Sequence, residues 1–275
     1  ERSAWGCAFS LPKTLSSRVF TSSDQMFLEP LLERARCTSN YPSLFEDKAA
    51  VQVAETCCTS EQVKSFYPLS YLHAYEQSHY IAVARNFLKR NPKANIVEIN
   101  CGLSTLYYQL DNKRARLIEL DSPEVLKLRK DLGFDQDSRI NQVVWDSDNT
   151  EWTKRVLELC KAKNGFIFIA AIGENWPAKK VKELVCLIKA TFANALVMLK
   201  CCGGKAGNRE TGFHLFGLNA KSVFHSWFKN DPSVQVFDTA FPPKEALEDI
   251  DRANRKKISK LYRQGNQILV DLKFA

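Results

Sequence analysis

The sequence predicts an α/β fold: a parallel sheet with helices on both faces, preceded by a helical cap. Two observations carry this. From residue 95 onward, short apolar runs alternate with helical stretches, the pattern of strands joined by crossover helices. Residues 24–90, by contrast, show helical patterns interrupted only by a turn.

Taken in order, helices are expected over 25–37, 47–57 and 69–89, with Tyr41-Pro42-Ser43-Leu44-Phe45 as the turn between the first two. Asn91-Pro92 ends the third, because a residue before proline is pushed out of the helical region. Strands follow at 95–99, 116–120, 141–144, 166–170 and 196–200. Helices separate them at 105–109, 123–132, 151–161 and 178–192. The tail departs from this alternation, with a helix at 220–229, an apolar run at 234–238, a long helix at 244–262 and a last run at 267–273. The last two apolar runs are suited to pair antiparallel at the sheet edge. The expected division is a cap or lid over 1–92 and an α/β core over 93–275, forming one compact unit.

Composition narrows the class. The 275 residues are 45% hydrophobic and 25% charged, ordinary for a globular chain. No run of 18 apolar residues predicts a membrane span, and the first residues lack a signal-peptide core. The nine cysteines include two adjacent pairs, Cys57-Cys58 and Cys201-Cys202, but no CxxC, so neither zinc spacing nor a disulfide framework is expected. Reduced packing thiols in a cytoplasmic protein are the expectation, with no metal site. The net charge of +8 is densest over 252–263, after an acidic stretch at Glu245, Glu248, Asp249 and Asp251. Acid first and base later suits one helix and its dipole, with a solvated basic face rather than a nucleic-acid surface. The Asn/Asp-Pro-Pro-aromatic motif of base-modifying enzymes does not occur.

The chemistry-bearing stretch is Val97-Glu98-Ile99-Asn100-Cys101-Gly102-Leu103-Ser104-Thr105, followed by Leu120-Asp121-Ser122-Pro123-Glu124-Val125. Strand, tight turn, helix, strand and terminal carboxylate make a nucleotide-binding crevice. A dinucleotide site wants three glycines, and here only Gly102 is present, so a pyrophosphate cofactor is weakly supported. A ligand without pyrophosphate needs less close backbone approach. S-adenosylmethionine is such a ligand, and Glu119 or, better placed at the strand end, Asp121 can accept its ribose hydroxyls. Asp121-Ser122-Pro123 also reads as a helix cap with proline in the first turn, and both roles can coexist.

Further along, Asp146 ends the third strand, where it can accept from an adenine amino group or belong to a cap with Asp148, Asn149 or Thr150. Glu174, after the fourth strand, is a polar candidate near the reacting centre or a cap of the next helix. His214, in the loop after the fifth strand, could act as a general base or simply pack. His73 and His79 share the long cap helix with Tyr71, Tyr75 and Tyr80, an aromatic group suited to line a lid or to pack the cap. Neither a nucleophile elbow nor an H-E-x-x-H occurs.

Together, residues 97–105, the Leu120–Val125 motif with Arg129, and Phe213–Asn219 resemble the leucine carboxyl methyltransferase family. Leu28–Ala35 and Phe45–Ala50 resemble its N-terminal helices. That family methylates a protein C-terminus or polyketide-type small molecules. The resemblance implies a class I S-adenosylmethionine-dependent methyltransferase fold, Rossmann-like, with a seven-stranded sheet whose last strand is antiparallel. It implies S-adenosylmethionine as cofactor and S-adenosylhomocysteine as product. It carries over Gly102 as the turn glycine, Asp121 as the ribose ligand and Asp146 as the adenine-side acid, with Lys13 or Arg18 holding the methionine carboxylate. Glu98, Asn100, Ser122 and Ser147 flank these as candidate cofactor contacts, and Glu174 and His214 are the catalytic candidates. The implied reaction is methyl transfer to a carboxylate or hydroxyl of a small molecule or peptide. The alternative is a non-catalytic methyltransferase-fold module that binds a protein partner. It is favoured by Gln77 or His79 standing where the family has a cap-helix arginine, and by Ala170 standing where it has a glutamate.

Overall fold

A computed structural model describes residues 5, 9, 22–57, 68–160, 165–171, 176–201, 220–238, 248, 250–263 and 268–274. Three helices come first: α1 (Ser22–Asn40), α2 (Lys48–Cys57) and α3 (Pro68–Arg90). The alternating part runs β1 (Asn95–Ile99), α4 (Tyr107–Leu110), β2 (Arg116–Asp121), α5 (Pro123–Asp131), β3 (Ile140–Val144), α6 (Glu151–Leu159), β4 (Phe166–Ala171), α7 (Ala178–Thr191) and β5 (Ala195–Cys201). The tail is α8 (Ala220–Trp227), β6 (Val234–Asp238), α9 (Arg252–Arg263) and β7 (Ile268–Phe274).

The strands form one sheet in the order β3-β2-β1-β4-β5-β7-β6. The first five are parallel, and β7 runs antiparallel to both β5 and β6, as the two apolar tail runs predict. From β1 the chain winds outward to β2 and β3; from β4 it winds the other way. The carboxyl ends of β1 and β4 therefore flank the point where strand order reverses, the place where open α/β sheets bind ligands.

All five residues of β1 are buried, as expected of a central parallel strand covered on both faces. One face packs Val97, Ile118, Phe168 and Val197 against Trp152, Val156, Val181 and Ile188 of α6 and α7. The other packs Ile96, Leu117, Ile167 and Met198 against Ala84, Phe87 and Leu88 of α3. A third cluster joins Leu31, Ala35 and Val53 of α1 and α2 to Leu128, Phe134 and the loop residue Leu103. The N-terminal helices thus share a core with the loop that follows β1.

Several element limits shift from the sequence expectation, α1 reaching Ser22–Asn40 rather than 25–37, and two of the shifts have a physical reason. The long tail helix begins at Arg252, not 244: Glu248 lies in a turn, and Asp251 accepts from the N–H groups of Ala253 (2.9 Å) and Asn254 (3.0 Å) as the helix cap. The described acids thus precede the helix. Ile258 packs on Tyr71 and Ile250 while Arg255, Lys256, Lys257 and Lys260 stay exposed, a solvated basic face. The helix after β1 is only four residues long and starts at Tyr107, because Thr105 is engaged elsewhere. No described helix is long and apolar enough to cross a membrane.

Candidate functional site

The turn after β1 is built on two left-handed residues, Asn100 (φ +54°) and Gly102 (φ +48°). Glycine takes this conformation freely, and asparagine tolerates it better than most side chains. Asn100 therefore stands where a second glycine would serve. The Ser104 N–H donates to the Cys101 carbonyl at 2.9 Å and closes the turn.

Asp121, at the end of β2, holds this turn in place. Its Oδ2 accepts the Gly102 N–H at 2.8 Å, and its Oδ1 accepts the Ser122 N–H at 2.8 Å. Ser122 caps α5 by accepting the Val125 N–H at 3.4 Å, with Pro123 in the first turn. The strand-end and cap readings of this motif therefore hold together. Asp121 is half-buried and keeps lone pairs for a ligand.

Two buried guanidinium groups grip the same loop from either side. Arg129 of α5 donates to the carbonyls of Gly102 (2.8 Å) and Ser104 (3.0 Å) and pairs with Glu119, with its charge 4.7 Å over the Phe134 ring. Arg34 of α1 donates to the Leu103 carbonyl and to Thr105 Oγ1 at 3.0 Å. Three successive carbonyls, from residues 102 to 104, thus receive charged donors.

Above the loop lies a cleft of about 200 Å³ lined by Phe27, Glu76, Gln77, Tyr80, Glu98, Ile99, Ile169 and the turn itself. Glu98 is 3% exposed. Its Oε1 accepts the Ser104 hydroxyl at 3.2 Å, while Oε2 has no partner among the described residues. Burial pushes its carboxyl up to about 7, against the opposing pull of Arg129. Glu76 is likewise 3% exposed and lines the same cleft. The cleft's third charged group, Arg34, is committed to Leu103, Thr105 and Asp47. The unshared Glu98 oxygen therefore suits a cationic donor. Burial also raises the Cys101 thiol well above its ordinary value, which keeps this cleft residue protonated and unreactive.

Of the sequence candidates, Glu98, Asn100, Gly102, Asp121 and Ser122 come together around this loop. Asp121 and Ser122 hold the loop but do not themselves line the cleft; nor do Asp146 and Ser147, both exposed, where Asp146 accepts the Asp148 N–H at 3.0 Å in a tight turn before α6. Beside them Trp145 stacks on Trp176, ring centroids 5.5 Å apart. Lys13, Arg18, Glu174 and His214 lie outside the described residues. On the cap helix, Gln77 lines the cleft, whereas His79 Nε2 lies 2.8 Å from Asp271 of β7. Tyr80, one of the aromatic group read on the cap helix, lines the cleft, whereas the sequence pattern does not single out Glu76 or the roles of Arg34 and Arg129. Arginine at an otherwise apolar helix position, as in Leu31-Leu32-Glu33-Arg34-Ala35, is the signal that could have found Arg34. Among the described residues no three ligating side chains converge to hold a metal.

A Cβ built on Gly102 meets no atom within 4 Å. Gly102→Ala therefore costs only backbone strain, about 1–2 kcal/mol, measurable as a lower urea midpoint with an unchanged slope. Its methyl projects into the open space over the loop, so ligand affinity is expected to fall by more than this strain accounts for.

No protein-family model matches the chain, and no curated protein sequence matches it. Solved structures do. A Thermobifida fusca YX protein assigned as a methyltransferase aligns over 90% of this chain and 94% of its own, at 11% identity and a TM-score of 0.51. The CurJ carbon methyltransferase aligns over 92% of this chain and 68% of its own, at 12% identity and a TM-score of 0.51. With the strand order and the antiparallel β7, this identifies the chain's architecture as the class I S-adenosylmethionine-dependent methyltransferase fold.

Proposed function

We propose that this protein is an S-adenosylmethionine-dependent methyltransferase. The observation that carries the reading is Glu98: a buried carboxylate with an unshared oxygen, in a cleft at the sheet's switch point, one loop away from Asp121. A pyrophosphate cofactor would bring negative charge against Glu98. S-adenosylmethionine brings an ammonium and a sulfonium, which that carboxylate favours. When bound, it would supply an electrophilic methyl carbon that an acceptor atom attacks in line as the carbon–sulfur bond breaks, the sulfur leaving with the electron pair as S-adenosylhomocysteine.

The chain's own residues would position and neutralise. Glu98 holds the cationic end, with Asn100 and Gly102 shaping the turn beneath it. Asp121, with Ser122 keeping α5 capped beside it, accepts the ribose hydroxyls. Asp146 and Ser147, outside the cleft in the turn beside Asp121, would serve the adenine only where the ligand extends past Asp121, and Lys13 or Arg18 would serve the methionine carboxylate. Glu174 and His214 are the proposed catalytic residues. In-line displacement depends mainly on orientation and a dry site, so no strong general base is required.

The finer reading rests on the resemblance to leucine carboxyl methyltransferases: the acceptor is a carboxylate or hydroxyl of a small molecule or of a protein C-terminus. Residues 1–92 act as cap and 93–275 as core. The free buried thiol of Cys101 suits a reducing, cytoplasmic setting. Incubating the protein and candidate acceptors with methyl-tritiated S-adenosylmethionine tests this. Label released as volatile methanol by mild base marks a carboxyl ester; base-stable label on oxygen marks an ether. Label found only on nitrogen or carbon would reject oxygen as the acceptor.

Affinity should also depend on pH. In the free protein Glu98 titrates at about 7, and a cation beside it favours the ionised form. Binding near neutral pH therefore releases a proton. Affinity rises with pH up to about 7 and levels off above it. Calorimetry in buffers of different ionisation enthalpy detects the proton, and Glu98→Gln should remove both effects.

A further inference from the structure

We propose that Arg34, Asp47 and Thr105 form a positioning relay through which α1 and α2 set the shape of the loop after β1, and with it the affinity for the cofactor. The proposal rests on the cofactor reading of the cleft.

Asp47 is the node. It is 1% exposed and sits where three pieces of chain meet. Its N–H donates to Thr38 Oγ1 near the end of α1 at 2.8 Å. Its Oδ1 accepts the Ala50 N–H at 2.9 Å and so caps α2. Its Oδ2 accepts the Thr105 hydroxyl and lies 3.6 Å from Arg34 Nε. Thr105, fully buried, in turn accepts from Arg34 Nε at 3.0 Å, while the same guanidinium reaches the Leu103 carbonyl. The triad thus ties α1, the start of α2 and the loop after β1 to one another.

No member of the triad needs to touch the ligand's reacting atoms. What the triad fixes is where the backbone of 103–105 sits relative to Gly102 and Glu98, both of which line the cleft. Leu103, buried among Leu31, Leu32 and Val53, adds an apolar anchor to the same helices. A loop tied this tightly to α1 and α2 cannot move without disturbing their packing. Coupling of this kind is reciprocal: if docked helices favour the binding-competent loop, ligand in the cleft must favour docked helices by the same factor.

Hydrogen exchange and calorimetry on the intact chain test both directions. In the wild type, saturating S-adenosylmethionine should slow exchange of the α1 and α2 amides. Thr105→Val keeps the side chain's shape but removes the hydroxyl that serves both Arg34 and Asp47. It should raise the dissociation constant about tenfold or more and abolish the ligand-dependent protection. Thr105→Ser, which keeps the hydroxyl, should restore both. A residue of merely structural importance would lower the melting temperature without changing affinity or the ligand-dependent protection.

Wild-type affinity in a folded Thr105→Val overturns the relay, as does a wild type that binds ligand with no slowing in α1 and α2. Should Thr105→Val fail to fold, Asp47→Asn is read instead. It retains the Ala50 cap and removes the charge facing Arg34, and unchanged affinity there has the same meaning. A wild type that binds no S-adenosylmethionine at all is a different failure: the cofactor reading falls first, and the relay's proposed purpose with it.

Discussion

Replacing Asp121 with alanine is expected to weaken S-adenosylmethionine binding by about 100-fold or more while leaving the protein folded. The carboxylate has two jobs. Within the protein it accepts the Gly102 and Ser122 N–H groups, both at 2.8 Å, and so joins the turn after β1 to the end of β2. In the proposed complex its remaining lone pairs would accept the ribose hydroxyls. Hydrogen bonds to a charged partner contribute about 1.5–3 kcal/mol each. Losing two of them on the ligand side comes to about 3 kcal/mol or more, which is a factor of about 100 at 1.4 kcal/mol per decade. Folding survives because the α5 cap is made by Ser122, which the substitution leaves intact. Asp121→Asn should fall between the two: it retains an acceptor, but its amide nitrogen cannot accept a backbone N–H. Isothermal calorimetry measures all three proteins directly. An alanine variant that binds as well as the wild type would remove Asp121 from the site.

The largest expected loss of stability is at Arg129. Its side chain is 1% exposed and that of its partner Glu119 is fully buried. Arg129→Met leaves Glu119 with only the Gln142 amide, 3.0 Å away, among the described residues, and strips the Gly102 and Ser104 carbonyls of their donor. Removing one member of a buried ion pair costs about 3–5 kcal/mol. Set against a typical total of about 5–15 kcal/mol, that is a large fraction of the protein's stability. Urea unfolding should show the midpoint falling accordingly. Adding Glu119→Leu should recover part of the loss by removing the stranded charge. It should not recover all of it, because the two loop carbonyls still lack donors. Full recovery would mean that the grip on the loop contributes nothing.

How legible the fold and site are in the sequence differs from residue to residue. The β1 and β6 limits are readable because apolar runs end abruptly at Asn100 and before Thr239. The Asp121-Ser122-Pro123 boundary is readable because strand end, cap and first-turn proline coincide there. The antiparallel edge follows from two apolar runs late in the chain. Asn100 reads as a missing glycine; its left-handed φ explains why asparagine serves there.

Other features depend on groups far apart in sequence. Glu76 and Glu98 line one cleft only because α3 packs across the β1 face of the sheet. Arg34 reaches Thr105 across 71 positions, and nothing in the local pattern of α1 announces that partner. The acidic stretch before Arg252 reads as the first turns of a helix, whereas Asp251 commits its carboxylate to capping. Charge order alone does not separate a helix's first turn from the cap before it.

The central claim is that the loop after β1, Glu98 and Asp121 together hold S-adenosylmethionine. Titrating the ligand into the purified wild-type protein by calorimetry at pH 7, in two buffers of different ionisation enthalpy, tests it most directly. Saturable one-site binding with release of a proton, lost in Asp121→Ala and made proton-neutral in Glu98→Gln, is the predicted result. No binding of S-adenosylmethionine or S-adenosylhomocysteine up to millimolar concentration would contradict it.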